Sequence, residues 1–364
     1  MICRLQLEDF RNYEKEIVVP TAGINVFFGL NGQGKTNILE GVYYLLTGKS
    51  YRVQRDQELI RWGKTGFHIY GKFIVAQRPV FLESHYLDKR KIIRINQVSC
   101  KKLSDYVGTV NVVYFSPDDL FMIKGGPAER RRFLDFHIAQ RRPSYISLLN
   151  SYNKVIQQKA ALLKAVLSKD TKCEQLRLWN EQLFRIGEKI ICSRWEMVNR
   201  LNTVSRVIYS LLSNQKEKMD IVYISSGEEQ LEKALSRFAE FLEEKMIAEI
   251  ERQMILTGPH RDDLRISLND RSARLYASQG QQRSLVLSLK LAEMEIIKED
   301  KGEYPLLLLD DVLSELDSLR REYLVQFINS SAIQTLMTLT SAEEPQFRAQ
   351  AGFRVHQGRI RRVY

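Results

Sequence analysis

From Ile2 to Phe10 apolar and polar residues alternate, which predicts a half-buried strand. Ile24-Asn25-Val26-Phe27-Phe28 reads as a short buried strand running straight into Gly29. After Thr36 the apolar positions Ile38, Leu39, Val42, Leu45 and Leu46 recur at helical spacing, and Gly48 marks the stop. Strand-like runs follow at residues 67–74, 80–87 and 92–95, and again at 110–115, closed by Ser116-Pro117. The texture changes at Gly125-Gly126-Pro127. From there to about Gln253 helix-period segments dominate, many of them basic. Pro143 interrupts the first, and Ser168 to Lys172 reads as a turn between two others. Leu176, Trp179, Leu183, Ile186, Ile190 and Trp195 stand three or four residues apart for the most part, the pattern of one helix packing on another. Residues 220–225 read as an isolated strand, before a helix over 230–252. Mixed texture then returns: a strand at 264–268, a helix over 281–298, and the buried strand Leu306-Leu307-Leu308-Leu309. A helix over 319–328 and strands at 335–339 and 353–356 close the chain. This order predicts an α/β body built from both ends, residues 1–125 and 254–364, with a helical arm over 126–253 inserted between them.

Charge changes the picture next. Among 364 residues, 55 lysines and arginines outnumber 44 aspartates and glutamates, a formal charge of +11. Such a surplus favours polyanionic partners, nucleic acid ahead of a membrane surface. The four cysteines, Cys3, Cys100, Cys173 and Cys192, stand far apart with no C-x-x-C pair. That spacing points to neither a zinc site nor a disulfide framework, and fits a reducing cytosol. Charges come too early after Met1 for a signal peptide, and no apolar run approaches the roughly 18 residues of a membrane helix. The expectation is a soluble, cytoplasmic protein with no membrane partner.

The candidate chemistry begins at Gly29-Leu30-Asn31-Gly32-Gln33-Gly34-Lys35-Thr36, which satisfies G-x-x-x-x-G-K-[ST] between a strand and a helix. The glycines let backbone N–H groups converge on a phosphate chain, Lys35 supplies charge to the β- and γ-phosphates, and the Thr36 hydroxyl ligates magnesium. A partner carboxylate belongs at the end of a buried apolar strand, where Asp310-Asp311 stand. Asp310 is read as holding the hydrated magnesium and Asp311 as polarising the attacking water, so Lys35, Asp310 and Asp311 form the catalytic set. The two motifs lie 275 positions apart (310 − 35), which disfavours a simple kinase or small GTPase. Ser278-Gln279-Gly280-Gln281-Gln282-Arg283 opens a helix upstream of the aspartates and offers a second phosphate-binding end. Two such ends in one chain suggest two protomers sandwiching each ATP.

The order of P-loop, helical insertion, S-x-G-x-Q signature, Asp310-Asp311 and then Leu316-Asp317 as a D-loop resembles the ABC heads of the SMC family. Three stretches narrow the resemblance to the RecF family: Pro117-Asp118-Asp119-Leu120 through Gly125-Gly126-Pro127 to Asp135, Thr257-Gly258-Pro259-His260-Arg261-Asp262-Asp263-Leu264, and Ala277 to Arg283. Phe10-Arg11-Asn12-Tyr13 and Arg55-Asp56-Gln57-Glu58-Leu59-Ile60 extend it over most of the chain. The resemblance implies a P-loop NTPase head of ABC type with the arm as its lobe II, and ATP with Mg2+ as cofactors. It implies a cytosolic recombination mediator that dimerises on ATP and binds double-stranded DNA near single-strand gaps and junctions. Slow hydrolysis then serves as a switch, and the protein acts with RecR and RecO to load RecA. SMC-like heads usually carry Asp-Glu where this chain has Asp310-Asp311, and Thr340-Ser341 stands where a switch histidine is usual. The shorter carboxylate fits slow turnover.

Several residues keep two readings. Arg130-Arg131-Arg132 opens the arm and either meets DNA phosphates or pairs with acids of the head, and Arg141-Arg142 continues the basic surplus. Lys154, Lys159, Lys164, Lys169, Lys172 and Arg177 follow, a minority of them expected on DNA through phosphates alone. His260 marks a turn near a dimer interface or the nucleotide, or a structural turn, and Asp118 and Asp119 either approach the magnesium shell or cap a helix. The rival function is the nucleotide-binding subunit of an ABC transporter, which leaves the long helical insertion unexplained.

Overall fold

A computed structural model of the chain describes residues 1–165, 169–331, 333–340 and 349–364. The chain divides into two units, Met1–Asp119 with Glu293–Tyr364, and Leu120–Ala292. The second unit is larger than the expected arm: it takes in residues 120–125 and 254–292, and so the Ser278 signature. Strand pairing explains the difference, because Asp263–Leu268 forms its ladder with Met219–Ile224 inside this unit.

The first unit holds two six-stranded sheets. In one, Ile24–Phe28, Thr335–Leu339, Leu306–Asp310 and Val112–Phe115 run parallel, with Ala351–His356 on the far side of Ile24–Phe28. Strands buried on both faces read as unbroken apolar runs, which is why Leu306 to Leu309 stood out in the sequence. The other sheet is antiparallel and includes Ile2–Phe10, Gly66–Val75, Arg78–Leu87 and Arg90–Ile95. Among the described residues four strands went unforeseen, Tyr13–Val18, Val98–Ser99, Arg271–Ser272 and Arg359–Arg362. In the first, Glu16 is buried because its carboxylate accepts from Arg359 (3.2 Å) and from the Ile360 N–H (3.1 Å), so no alternation shows.

The helix Lys35–Thr47 ends where Gly48 takes a left-handed φ of +69° and its N–H returns to the Tyr44 carbonyl. Midway along it sits Glu40, fully buried. Arg11 grips its carboxylate with two bonds of 2.9 and 2.8 Å, the Ser50 hydroxyl donates at 2.6 Å, and Arg52 approaches at 3.3 Å. One carboxylate therefore ties the end of the first strand and the segment after the helix to the helix itself.

The second unit is mainly helical: Pro127–Arg141, Ser144–Lys164, the 44-residue Lys169–Leu212, Leu231–Glu244 and Met246–Arg252. Pro143 separates the first two, as anticipated, whereas the helix expected over 230–252 breaks at Lys245. Over 169–172 the expected turn gives way to the start of the long helix at Lys169, and residue 168 lies outside the described residues. Leu176, Leu183 and Ile190 are fully buried, so the apolar stripe is packing.

The stretch around His260 is tied into a polar network within this unit. Arg194 binds Asp135 through two bonds of 2.8 Å and donates to the Pro259 carbonyl at 2.6 Å. Tyr145 donates to Asp135 at 2.7 Å, Tyr223 donates to Asp262, and Tyr152 is hydrogen-bonded to His260 Nδ1 at 2.8 Å. Gly258 has φ +124°, and a side chain there would strike the Tyr152 hydroxyl. Burial, with the charges of Arg261 and Arg131, pushes His260 down to about 4, and burial pushes Asp262 up to about 6 against the pull of Tyr223 and Arg194.

Two outcomes follow from these contacts. Glu40→Gln leaves the guanidinium of Arg11 without its counter-charge and should cost about 3 kcal/mol in a denaturant titration; a change below about 1 kcal/mol would contradict the clamp. His260 is protonated in the unfolded chain below about pH 6.5 but in the folded one only below about 4, so its contribution is lost as pH falls through that window. Asp262 has the opposite sign, losing stability as pH rises from about 3.8 to about 6. The stability difference between the native chain and His260→Gln should therefore grow by roughly 3 kcal/mol from pH 4 to pH 6.5; a flat difference curve would rule this out.

Candidate nucleotide site

The strand Ile24–Phe28 delivers the chain to Gly29, and the loop turns into the helix at Gly34, whose φ is +112°. Any side chain at Gly34 would collide with Asn12. Asn12 braces the loop by donating to the Gln33 carbonyl at 2.9 Å, Tyr13 donates to the Gly34 carbonyl at 2.7 Å, and the Gln357 N–H donates to Gln33 Oε1 at 2.7 Å. Lys35 folds its ammonium back onto the loop, donating to the carbonyls of Gly29 at 2.6 Å and Leu30 at 2.9 Å, with Asn31 Oδ1 at 3.4 Å. Burial pulls this lysine below its usual range, while the carboxylates of Asp311 and Asp310 oppose the shift. The helix has no side-chain cap and no acidic residue in its first turn, so its positive end stands open to an anion.

Asp310 ends its strand beside Thr338, its partner in the parallel ladder. The Thr36 hydroxyl donates to Asp310 Oδ1 at 2.9 Å, Thr338 donates to the same oxygen at 2.9 Å, and Tyr114 donates to Oδ2 at 3.1 Å. Burial pushes this carboxyl above the usual carboxylate range, against those three bonds and the charge of Arg52. Asp311 turns outward into solvent with φ +52°, its N–H held by Thr338 Oγ1 at 2.9 Å. Thr36 and Asp310 present hard oxygens of the kind that hold hydrated Mg2+ when phosphate supplies the other ligands. Among the described residues no three His, Cys, Asp or Glu side chains are arranged to hold an ion unaided. The residues fit a magnesium ion brought in with a phosphate chain.

Of the residues singled out in the sequence, Gly29 to Thr36, Asp310 and Asp311 come together in the first unit. Asp317 caps the helix Ser318–Ser330, accepting from the Arg320 N–H at 3.0 Å. Ser278, Gln279, Gly280 and Gln281 lie in the second unit, at the start of the helix Gln279–Lys301. The arginines separate. Arg130 is 5% exposed and grips Asp263 with bonds of 2.7 and 2.9 Å, which withdraws it from any DNA-facing set. Arg131 donates to the Asp262 carbonyl at 2.6 Å, and Arg132 is exposed. Arg141 donates to Met197 Sδ at 3.5 Å, and Arg142 pairs with Glu196 at 2.7 and 2.9 Å on the surface. Lys159 is buried against Glu249 at 2.7 Å and so leaves the basic face, while the side chains of Lys169 and Lys172 and residue Ser341 lie outside what is described. Asp119 accepts the Ser116 N–H at 2.7 Å, a local turn bond.

The sequence reading missed Asn12, Thr338, Tyr114 and Arg52. Thr338 and Tyr114 stand at the ends of the two strands flanking Leu306–Asp310, a position that strand order would have revealed. Arg52 follows the helix and donates to Asn37 at 2.9 Å.

Residues 1–359 match the family model described as RecF/RecN/SMC N terminal domain. The DNA replication and repair protein RecF of Desulfitobacterium hafniense is 58% identical over 360 residues, covering 99% of this chain and 98% of its own. RecF of Natranaerobius thermophilus is 42% identical, over 94% of this chain and 92% of its own. A solved structure described as the recombination mediator protein RecF with ATPrS, in the RecFOR pathway, superposes with a TM-score of 0.91 at 30% identity, covering 100% of this chain and 98% of that one. An Smc head bound to the C-winged helix domain of ScpA shares the fold, with a TM-score of 0.60 at 16% identity. From its strand order to the residues of its phosphate loop, the chain belongs to the RecF family of ABC-type ATPase heads.

Proposed function

We propose that this protein is an ATP-gated DNA clamp acting in DNA replication and repair. The observation that carries the reading is the bond between Thr36 and Asp310, which closes a P-loop site from residues 274 positions apart beside an uncapped helix end. ATP with Mg2+ binds there: Gly29 to Thr36 wrap the phosphates, Lys35 meets the β- and γ-phosphates, and Thr36 and Asp310 hold the ion. Asp311, exposed at the strand end, orients the attacking water. Ser278 to Gln281 of a second copy complete the site, so that ATP drives a homodimer, and Asp317 lies on the D-loop beside it. Turnover is slow and serves to release the clamp.

The positive balance of the chain supports duplex DNA as the partner, held through phosphates near junctions with single strands. Arg132, Arg141 and Arg142 remain candidates for that contact, with Arg132 and Arg142 exposed and Arg141 half-buried. RecR and RecO are the proposed partners and RecA loading the outcome, in keeping with the recombination-mediator description of the solved relative. The end-to-end cover by RecF relatives weighs against a transporter subunit, and no described helix is long and apolar enough to cross a membrane.

Sedimentation with and without ATP tests the gate. The native chain should shift from monomer to dimer, Lys35→Arg should weaken the shift, and Asp311→Asn should keep it while prolonging the dimer. An unchanged monomer–dimer balance on adding ATP would sink the proposal. Gel shifts with duplex, gapped and single-stranded DNA should show ATP-dependent retention that falls steeply with salt, on the order of tenfold or more between 50 and 200 mM.

A further inference from the structure

The signature helix does not begin freely. Ser278 and Gln281 form a reciprocal cap: the Gln281 N–H donates to Ser278 Oγ at 3.2 Å, and Gln281 Oε1 accepts the Ser278 N–H at 2.7 Å. The amide end of the same glutamine has a third partner, donating to Glu217 Oε1 at 2.5 Å. Glu217 in turn accepts the Tyr209 hydroxyl on Oε2 at 2.6 Å. Tyr209 stands near the end of the 44-residue helix Lys169–Leu212, and Glu217 lies two residues before the strand Met219–Ile224. All four residues belong to the second unit.

The chain of bonds has a direction. Both oxygens of Glu217 are engaged, one by each neighbour, so the carboxylate fixes which end of the Gln281 amide faces it. The opposite end is thereby left to close the cap. A serine hydroxyl that accepts from Gln281 N–H keeps its own proton to donate elsewhere, and Ser278 is exposed. Without Glu217 the glutamine amide is free to turn over, presenting NH2 where the Ser278 N–H needs an acceptor, and the cap opens.

We propose that Glu217 is a positioning residue for the signature: through Gln281 it holds the Ser278 hydroxyl aimed outward to meet the phosphate bound by a second copy, and through Tyr209 it ties that aim to the end of the long helix. The inference rests on the in-trans role of Ser278 proposed above. It goes beyond that role in that a residue between the long helix and the strand Met219–Ile224, 61 positions before Ser278 (278 − 217), governs whether the signature is competent.

The test compares Glu217→Ala, Glu217→Gln and Tyr209→Phe in the full chain by sedimentation with ATP, alongside ATP binding at protein concentrations too low for dimers. Glu217→Ala should weaken the ATP-driven dimer at least tenfold while ATP binding by the monomer stays within twofold, since the P-loop residues are untouched. Glu217→Gln keeps an acceptor for Gln281 and should return the dimer to within threefold of native. Tyr209→Phe, which removes one hydroxyl, should weaken it about threefold and carries the test should the alanine variant not fold. Native-strength dimers in Glu217→Ala or in Tyr209→Phe would overturn the proposal, as would a Glu217→Gln no better than alanine. A native chain that does not dimerise with ATP would instead remove the reading beneath it, a failure visible before any variant is made.

Discussion

A hydroxyl on the first turn of one helix must meet a carboxylate at the end of a strand 274 residues later, and the first unit is arranged around that meeting. The parallel sheet brings Ile24–Phe28 and Leu306–Asp310 to the same edge with Thr335–Leu339 between them. Because the strands run parallel, their C-terminal ends at Phe28, Leu339, Asp310 and Phe115 lie along one edge of the sheet, with Thr338 one residue inside it beside Asp310. A buried carboxylate is costly unless hydrogen-bonded, and Asp310 receives three such bonds from three different segments. The site is thus a by-product of strand order as much as of motif.

Much of this was legible because the physics is local. The strand before Gly29, the helix after Thr36 with its stop at Gly48, and the four leucines before Asp310 each follow from composition over a few residues. What escaped depended on distant partners. Glu16 reads as a surface residue until Arg359 and Ile360 arrive from the far end of the chain. Arg130 opens a run of three arginines that looks like a solvated face, yet Asp263 draws it inside. The boundary of the second unit shifted for the same reason, since the ladder between Met219–Ile224 and Asp263–Leu268 joins residues that no local pattern connects. Lys245, where the helix over 230–252 divides, interrupts nothing in the apolar period and so gave no warning.

The second unit makes a different bargain with polarity. Its interior holds Arg194 with Asp135, Lys159 with Glu249, and Asp262 under Tyr223. Desolvating such groups offsets much of their mutual attraction, so they add less to stability than apolar packing of the same volume. What they supply is geometry: each guanidinium or carboxylate accepts only a few arrangements of its neighbours. The stretch Gly258 to Asp263, read in the sequence as a turn of uncertain surroundings, is where Arg194 and Tyr223 fasten, through the Pro259 carbonyl and the Asp262 carboxylate.

The backbone at Asp311 has an implication for how this head can change. A left-handed φ is tolerated by aspartate and asparagine far better than by longer side chains, at a difference on the order of 1 kcal/mol. Lengthening that carboxylate by one methylene therefore has to work against the conformation of the residue that carries it. In the role proposed for Asp311, a longer carboxylate would require the turn after Asp310 to be re-shaped first, so a main-chain torsion limits the choice of side chain there.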